Sequence, residues 1–264
     1  MLPLCPAGVQ RAQTLRKCWL PTGGPNGDLP YHYSVSDEVT RMFARIAPRY
    51  DLANDVLSLG LHRAWRRALV RRSELRPGQS ALDCATGTGD LALLLKRRVG
   101  FEGQVTGIDA CAPMLALARR KAERARLAVY FQLADMERLP FRDGAFDVAT
   151  VAFGVRNLGD PLAGLREMGR VVRPGGRVLV LEFGRPEGFF GRLFDWYSRR
   201  LIPPLGGLIT GNRQAYEYLQ RTSAAFPCGE EFLALMRLAG CFSTASFTAL
   251  CGGIAFLYVG DTVQ

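Results

Sequence analysis

Histidine is nearly absent from this 264-residue sequence, which contains only His32 and His62. Cysteine occurs at positions 5, 18, 84, 111, 228, 241 and 251, an odd set with no Cys-x-x-Cys or Cys-His spacing. Without such spacing there is no ligand set for structural zinc. The same pattern argues against a disulfide framework, and buried free thiols in a reducing compartment are the expectation. No apolar run approaches the roughly 20 residues that a helix needs to cross a bilayer. The run in Val178–Phe183 is strand-sized. Arg-Gly repeats, a zinc-finger spacing and an aromatic single-strand platform are also missing, which removes nucleic acid as an expected partner.

What remains is an ordinary globular composition, 48% hydrophobic and 22% charged, with enough apolar material for a sizeable core. The formal net charge is +10, supplied mostly by arginine. That excess suits solubility, an anionic membrane surface or acidic substrates. Residues 1–34 show Pro and Gly without sustained periodicity, and carry no acid before Asp28. They are expected to form a disordered extension or to reflect an overextended start. A targeting segment fits less well, because serine is missing before Ser34.

From Val35 the pattern turns helical, with Val35, Val39, Met42, Phe43 and Ile46 at spacings of three and four until Pro48. Arg49–Asp55 gathers polar groups around Tyr50 and reads as a loop or short turn. A second helix from about Leu57 places Leu57, Leu61, Trp65 and Leu69 on one stripe and Arg63, Arg67 and Arg71 opposite. That basic face is either plain solvated surface or a seat for membrane headgroups. Residues 35–76 are thus expected as a helical cap ahead of a single domain over 35–264.

Beyond Pro77-Gly78 strands and helices alternate. Strands are expected at Ser80–Ala85, Gln104–Asp109, Val129–Leu133, Phe146–Phe153 and Arg177–Phe183. Helices are expected after Asp90, after Ala112-Pro113 and after Asp160-Pro161, where proline suits a first turn. Arg173–Gly176 reads as a tight turn. This order implies a parallel, doubly wound sheet. After a helix at Glu230–Ala239, Phe242–Leu250 and Gly252–Gly260 are two strands in succession, which predicts an antiparallel strand at the sheet's edge. The segment 185–223, with Phe189, Phe194, Trp196 and Tyr197, is longer than a crossover requires. It is expected either as a lid over an apolar substrate or as extra core.

Strand, glycine turn and helix at Ala81–Asp90 make the shape that lets a nucleotide lie against bare backbone. The strand's apolar run reaches an acid at Asp83, and Gly87, Thr88 and Gly89 form the turn. Asp109, roughly 20 residues later, suits ribose hydroxyls in dehydrogenases and in methyltransferases using S-adenosyl-L-methionine (AdoMet) alike. Asp135, just past the third strand, can take an adenine amino group while Met136 packs on the ring. Both histidines precede the glycine turn, a poor place for a dehydrogenase's proton donor. The two terminal strands suit a seven-stranded methyltransferase sheet. Methyl transfer is the better reading.

The segment Phe43–Arg66, containing Arg-Ile-Ala-Pro-Arg-Tyr-Asp-Leu, resembles the first signature of the ubiquinone/menaquinone biosynthesis C-methyltransferases, the UbiE/MenG family. Phe153-Gly-Val-Arg-Asn157 resembles the second, and Arg170–Phe183 and Tyr216-x-Tyr-Leu resemble two further blocks. The resemblance implies a class I AdoMet-dependent methyltransferase, a Rossmann-like doubly wound sheet whose last strand is antiparallel. It implies methylation of a ring carbon of a polyprenylated quinol, closer to the menaquinone branch, with the benzoquinol of ubiquinone synthesis and another apolar small molecule as alternatives. A non-catalytic scaffold of the same fold is the reading from another class. By position, Thr88, Asp109, Asp135 and Met136 would bind the cofactor, and Gly87, Gly89 and Asp83 of the glycine turn are expected to bind it with them. Ala152 stands where the family often has Ser, and Thr86 where Gly or Cys is common. Arg156 would stabilise a phenolate and Asn157 would orient the ring hydroxyl, with Tyr50 and His62 reaching over from the cap. No metal is expected. The expected partners are the quinol, an anionic membrane surface and a second copy of the chain. The expected location is the cytoplasm, peripheral at the inner face of the membrane.

Overall fold

A computed structural model describes residues 37–263. The expectation for residues 1–34 lies outside the described residues. Seven strands form one sheet in the order β3-β2-β1-β4-β5-β7-β6. They are β1 Ser80–Cys84, β2 Gln104–Asp109, β3 Tyr130–Leu133, β4 Phe146–Ala152, β5 Val172–Phe183, β6 Phe242–Leu250 and β7 Ala255–Thr262. β1 pairs in parallel with β2 on one side and β4 on the other, with Ala81 opposite both Val105 and Val148. The chain winds outward through β2 and β3, then returns to start the other half at β4. That reversal opens a crevice at the carboxyl ends of β1 and β4, where such sheets bind ligands.

Alternation along the strands feeds two cores. Leu82, Cys84, Val178 and Val180 face the helices α6 (Pro161–Val171) and α10 (Glu230–Ala239). Ala81, Leu179, Leu181 and Leu257 face α3 (Leu61–Arg72), α4 (Asp90–Val99) and α5 (Ala112–Ala125). Asp160 caps α6, its carboxylate accepting from the Leu162 and Ala163 amides at 2.9 and 3.1 Å.

Several expectations are corrected. The antiparallel strand is the last in sequence but not at the edge. β7 lies between β5 and β6, antiparallel to both, and β6 takes the edge. Burial explains this: most of β7 is buried, whereas no residue of β6 is. The tight turn at Arg173–Gly176 is absorbed into a longer β5, with Gly175 at φ 69° and a register shift opposite Phe146 and Val148. The loop expected at Arg49–Asp55 is helical. After α1 (Asp37–Ile46) the chain makes a 3-10 turn, Ala47–Arg49, then α2 (Tyr50–Leu57). Pro48 sits in a first turn and so has no hydrogen bond to lose there. Ala53 is then fully buried against Ala215 and Tyr216. Gly60 at φ 75° turns the chain into α3, which begins later than expected. The segment 185–223 folds as α7 (Gly188–Arg200), α8 (Ile202–Thr210) and α9 (Arg213–Ala225). Among the described cysteines, all free, Cys84 and Cys111 are buried but Cys251 is exposed.

Candidate active site

The turn after β1 is built from left-handed residues: Ala85 at φ 48°, Gly87 at 56° and Gly89 at 85°. Only glycine adopts such values at little cost, so Ala85 is strained and held by its surroundings. Gly89 is needed for close packing as well, since a Cβ there would lie 2.9 Å from Ala118 Cβ. A Cβ on Gly87 would meet nothing within 4 Å, so that side of the turn is open. Asp83 is buried behind the turn and accepts from the Thr86 hydroxyl at 2.6 Å and the Thr150 hydroxyl at 2.9 Å. Burial pushes its carboxyl up to about 7, against the pull of those two hydroxyls. Asp83 holds the turn from beneath and lines neither cavity described below.

Asp109 accepts the Gly87 amide on one oxygen and the Cys111 amide on the other, each at 2.8 Å. Burial raises its pKa, with these backbone donors acting in the opposite direction. It lines a cavity of about 70 Å³ with Ala85, Cys111, Met136, Gly154 and Asn157, covered by Thr40 and Phe43 from α1. Its lining combines a carboxylate, which suits the hydroxyls of a nucleoside, with a thioether, which suits a flat ring. The residues present therefore fit AdoMet. Of the expected cofactor residues, Asp109 and Met136 line this cavity. Asp135 lies beside it, accepting the Glu137 amide at 2.9 Å within its own turn. Thr88 is turned the other way: it donates to Asp51 of α2 at 2.6 Å and accepts from Lys121 at 2.9 Å. Lys121 also pairs with Asp51 at 2.5 Å and Asp90 at 2.7 Å.

A second cavity, about 510 Å³, lies between α1–α3, the strand ends and α7–α9. Met42, Phe43, Tyr50, Trp65, Phe153, Phe183, Phe194 and Tyr216 make it aromatic and apolar. Phe43 lines both cavities. Tyr218 of the large cavity donates to Asn157 Oδ1 of the small one at 3.4 Å. The two spaces thus adjoin at one aromatic ring and one hydrogen bond.

Arg156 lines the large cavity and is buried. Its Nη1 donates to Glu182 Oε1 at 2.7 Å and to Phe153 O at 2.6 Å, while Nε is buried without a partner. The guanidinium lies 5.2 Å from the centre of the Phe183 ring. His62 is buried between Asp55, 2.8 Å from its Nε2, and Arg66 at Nδ1. Burial and the Arg66 charge lower its pKa, so it is neutral at pH 7 with the proton assigned to Nε2.

Sequence reasoning missed Glu182 and Tyr218 as site residues. A lone carboxylate within the apolar strand Val178–Phe183 was the signal for Glu182, since a buried acid requires a partner. Tyr218 stands in the Tyr216-x-Tyr-Leu block, but nothing local gave it a role, since its neighbour comes from 61 residues away. No cluster of three or more potential metal ligands occurs among the described residues.

The model of the ubiE/COQ5 methyltransferase family matches residues 32–261. The chain belongs to that family. It is 49% identical over 87% of its length to the ubiquinone/menaquinone biosynthesis C-methyltransferase UbiE of Bdellovibrio bacteriovorus, covering 98% of that protein. It is 50% identical to the demethylmenaquinone methyltransferase of Thermus thermophilus, over 83% of this chain and 99% of that one. Among solved structures, a possible histamine N-methyltransferase from Thermotoga maritima aligns with TM-score 0.60 at 21% identity, covering 84% of this chain and 99% of that one. Phosphoethanolamine N-methyltransferase 2 of Haemonchus contortus, in complex with S-adenosyl-L-methionine, aligns with TM-score 0.57 at 15% identity, covering 75% and 52%. These structural likenesses concern the fold alone. As a member of the ubiE/COQ5 family the chain is an AdoMet-dependent C-methyltransferase of quinone biosynthesis, on a class I methyltransferase fold.

Proposed function

We propose that the chain methylates a ring carbon of a demethylmenaquinol to give the menaquinol. The observation that carries this is the 510 Å³ aromatic cavity adjoining the Asp109 cavity at Phe43 and Tyr218–Asn157. A flat ring fits the first, and the second presents the Asp109 carboxylate that suits ribose hydroxyls. Relatives from Thermus thermophilus and Deinococcus radiodurans, at 50% and 46% identity, are demethylmenaquinone methyltransferases. The benzoquinol is the second reading, because the Bdellovibrio relative's name covers both quinones.

AdoMet, when bound, supplies an electrophilic methyl. The chain's part is to align the ring and to stabilise the charge that appears when a ring hydroxyl loses its proton. Arg156 carries the spare Nε–H for that oxygen. Asn157, oriented by Tyr218, holds the hydroxyl. Tyr50 forms part of the wall. Both His62 nitrogens are engaged by Asp55 and Arg66, so we assign it a positioning role within the cap, 35–76. Gly87 and Gly89 let the cofactor approach the turn, Thr88 and Asp83 set its shape, and Asp109, Asp135 and Met136 contact the nucleoside. The segment 185–223 belongs to the substrate side. The exposed Arg63, Arg67 and Arg71 face of α3 meets an anionic membrane surface at the inner face of the cytoplasmic membrane. No helix among the described residues is long and apolar enough to cross a membrane. A second copy of the chain completes the set of proposed partners, and nucleic acid is not among them.

Labelled AdoMet with paired naphthoquinols and benzoquinols tests the reading. Faster transfer to the naphthoquinol is expected, and equal or reversed rates would overturn the menaquinone choice. Arg156→Met should lower turnover by about a hundredfold with AdoMet affinity retained; wild-type turnover would remove Arg156 from the mechanism.

A further inference from the structure

Around the large cavity's mouth the surface is apolar where solvent would ordinarily meet polar groups. Leu52, Val56 and Leu59, 56%, 44% and 83% exposed, follow one another along α2 and into the turn after it. Phe189, Leu193 and Trp196, 77%, 53% and 55% exposed, do the same along α7. Residues three or four apart share a helix face, so Leu52 and Val56 make a ridge on α2, continued by Leu59 in the turn, and Phe189, Leu193 and Trp196 make one on α7. The Tyr197 hydroxyl donates to Leu57 O at 2.9 Å, which sets α7 against the end of α2. Leu59, Leu193 and Trp196 also line the cavity, so both ridges reach its mouth. Single exposed apolar side chains are ordinary, but two aligned ridges at one opening mark an interaction surface.

Charge indicates what covers it. Arg67 and Arg71 on α3 and Arg192 on α7 are exposed, as are Arg63 and Arg199, which pair with Asp55 and Asp195. Apolar side chains accompanied by guanidinium groups suit a bilayer interface, with acyl chains beneath and anionic headgroups beside them. A second copy of the chain would bring like charges together.

We infer that the α2 and α7 ridges insert into an anionic bilayer and hold the mouth of the cavity against the acyl chains. This rests on the reading that the substrate is a polyprenylated quinol. The tail then stays in lipid while only the ring enters the protein.

Flotation of the full chain with phosphatidylcholine vesicles, with and without phosphatidylglycerol, tests the inference. The wild type should float with the anionic vesicles, and a fraction should stay bound at high salt because apolar insertion is not screened. The triple variant Leu52→Gln/Val56→Gln/Phe189→Gln, whose positions do not line the cavity, should partition about tenfold less or lower. Its turnover on a tail-less quinol in solution should match the wild type, while turnover on a polyprenyl quinol in vesicles falls with binding. Wild-type flotation by the variant, or complete release of the wild type by salt, would overturn insertion. So would a lipid-free wild type that sediments as an oligomer while the variant is a monomer, because a second copy would then cover the ridges. A wild type that floats but methylates no quinol would overturn the substrate reading and leave the surface intact.

Discussion

Two glycines of the cofactor turn share a left-handed backbone but differ in what surrounds them. At Gly87 an added methyl meets open space, so Gly87→Ala should cost only the backbone strain, about 1 kcal/mol. At Gly89 the same methyl runs into Ala118 of α5, and unfolding in urea should show a loss of about 2–4 kcal/mol. Equal losses would mean that α5 shifts freely. Arg156 and Glu182 allow a cleaner separation of structure from chemistry. Arg156→Met leaves the Glu182 carboxylate buried without its guanidinium, a loss of about 3–5 kcal/mol. Arg156→Met/Glu182→Leu should recover most of that stability in the same melts, yet remain slow on the quinol. Restored turnover would show that the arginine serves the fold alone. The sequence marked Arg156 but not its partner, because an acid and an arginine 26 residues apart carry no sign of pairing.

At the scale of elements, α2 is fastened to the glycine turn through Asp51, Thr88 and Lys121. One short, partly buried hydrogen bond and its ion pair join two segments that the sequence separates by 37 residues. Thr88→Val and Asp51→Ala should therefore raise hydrogen–deuterium exchange across Tyr50–Leu57 alike, while β1 stays protected. Unchanged exchange in both would mean that burial of Ala53 alone holds the helix. The loop expected at Arg49–Asp55 became this helix for a tertiary reason. Its polar side chains have partners on α3, α5 and the turn, none of which a local pattern displays. The interior place of β7 was hidden in the same way, since two strands in succession imply antiparallel pairing without saying which lies outside.

For the whole molecule, burial of titratable groups sets a pH dependence of stability. Asp83 has an ordinary value of 3.8 and is pushed up to about 7. Folded chains keep a proton that unfolded chains release, so its contribution is full below the ordinary value and is lost as pH rises through about 7. At roughly 1.4 kcal/mol per unit, the ceiling is on the order of 4 kcal/mol. His62 works in the other direction: its pKa is lowered, so its contribution is lost as pH falls below the ordinary 6.5. Asp83→Asn should therefore lose less stability than the wild type between about pH 5 and about pH 8 in paired urea melts. A wild-type slope in that variant would place the dependence elsewhere. The sequence by itself determined the strand order in the chain, the two-faced parallel sheet, the glycine turn and Asp109, because alternation, left-handed glycines and strand ends are local physics. Only the tertiary structure decided that Thr88 faces the cap, that Arg156 meets Glu182, that Tyr218 reaches Asn157 and that two apolar ridges flank one opening. Each of those joins segments far apart in the chain, where contact depends on how helices and sheet settle against one another.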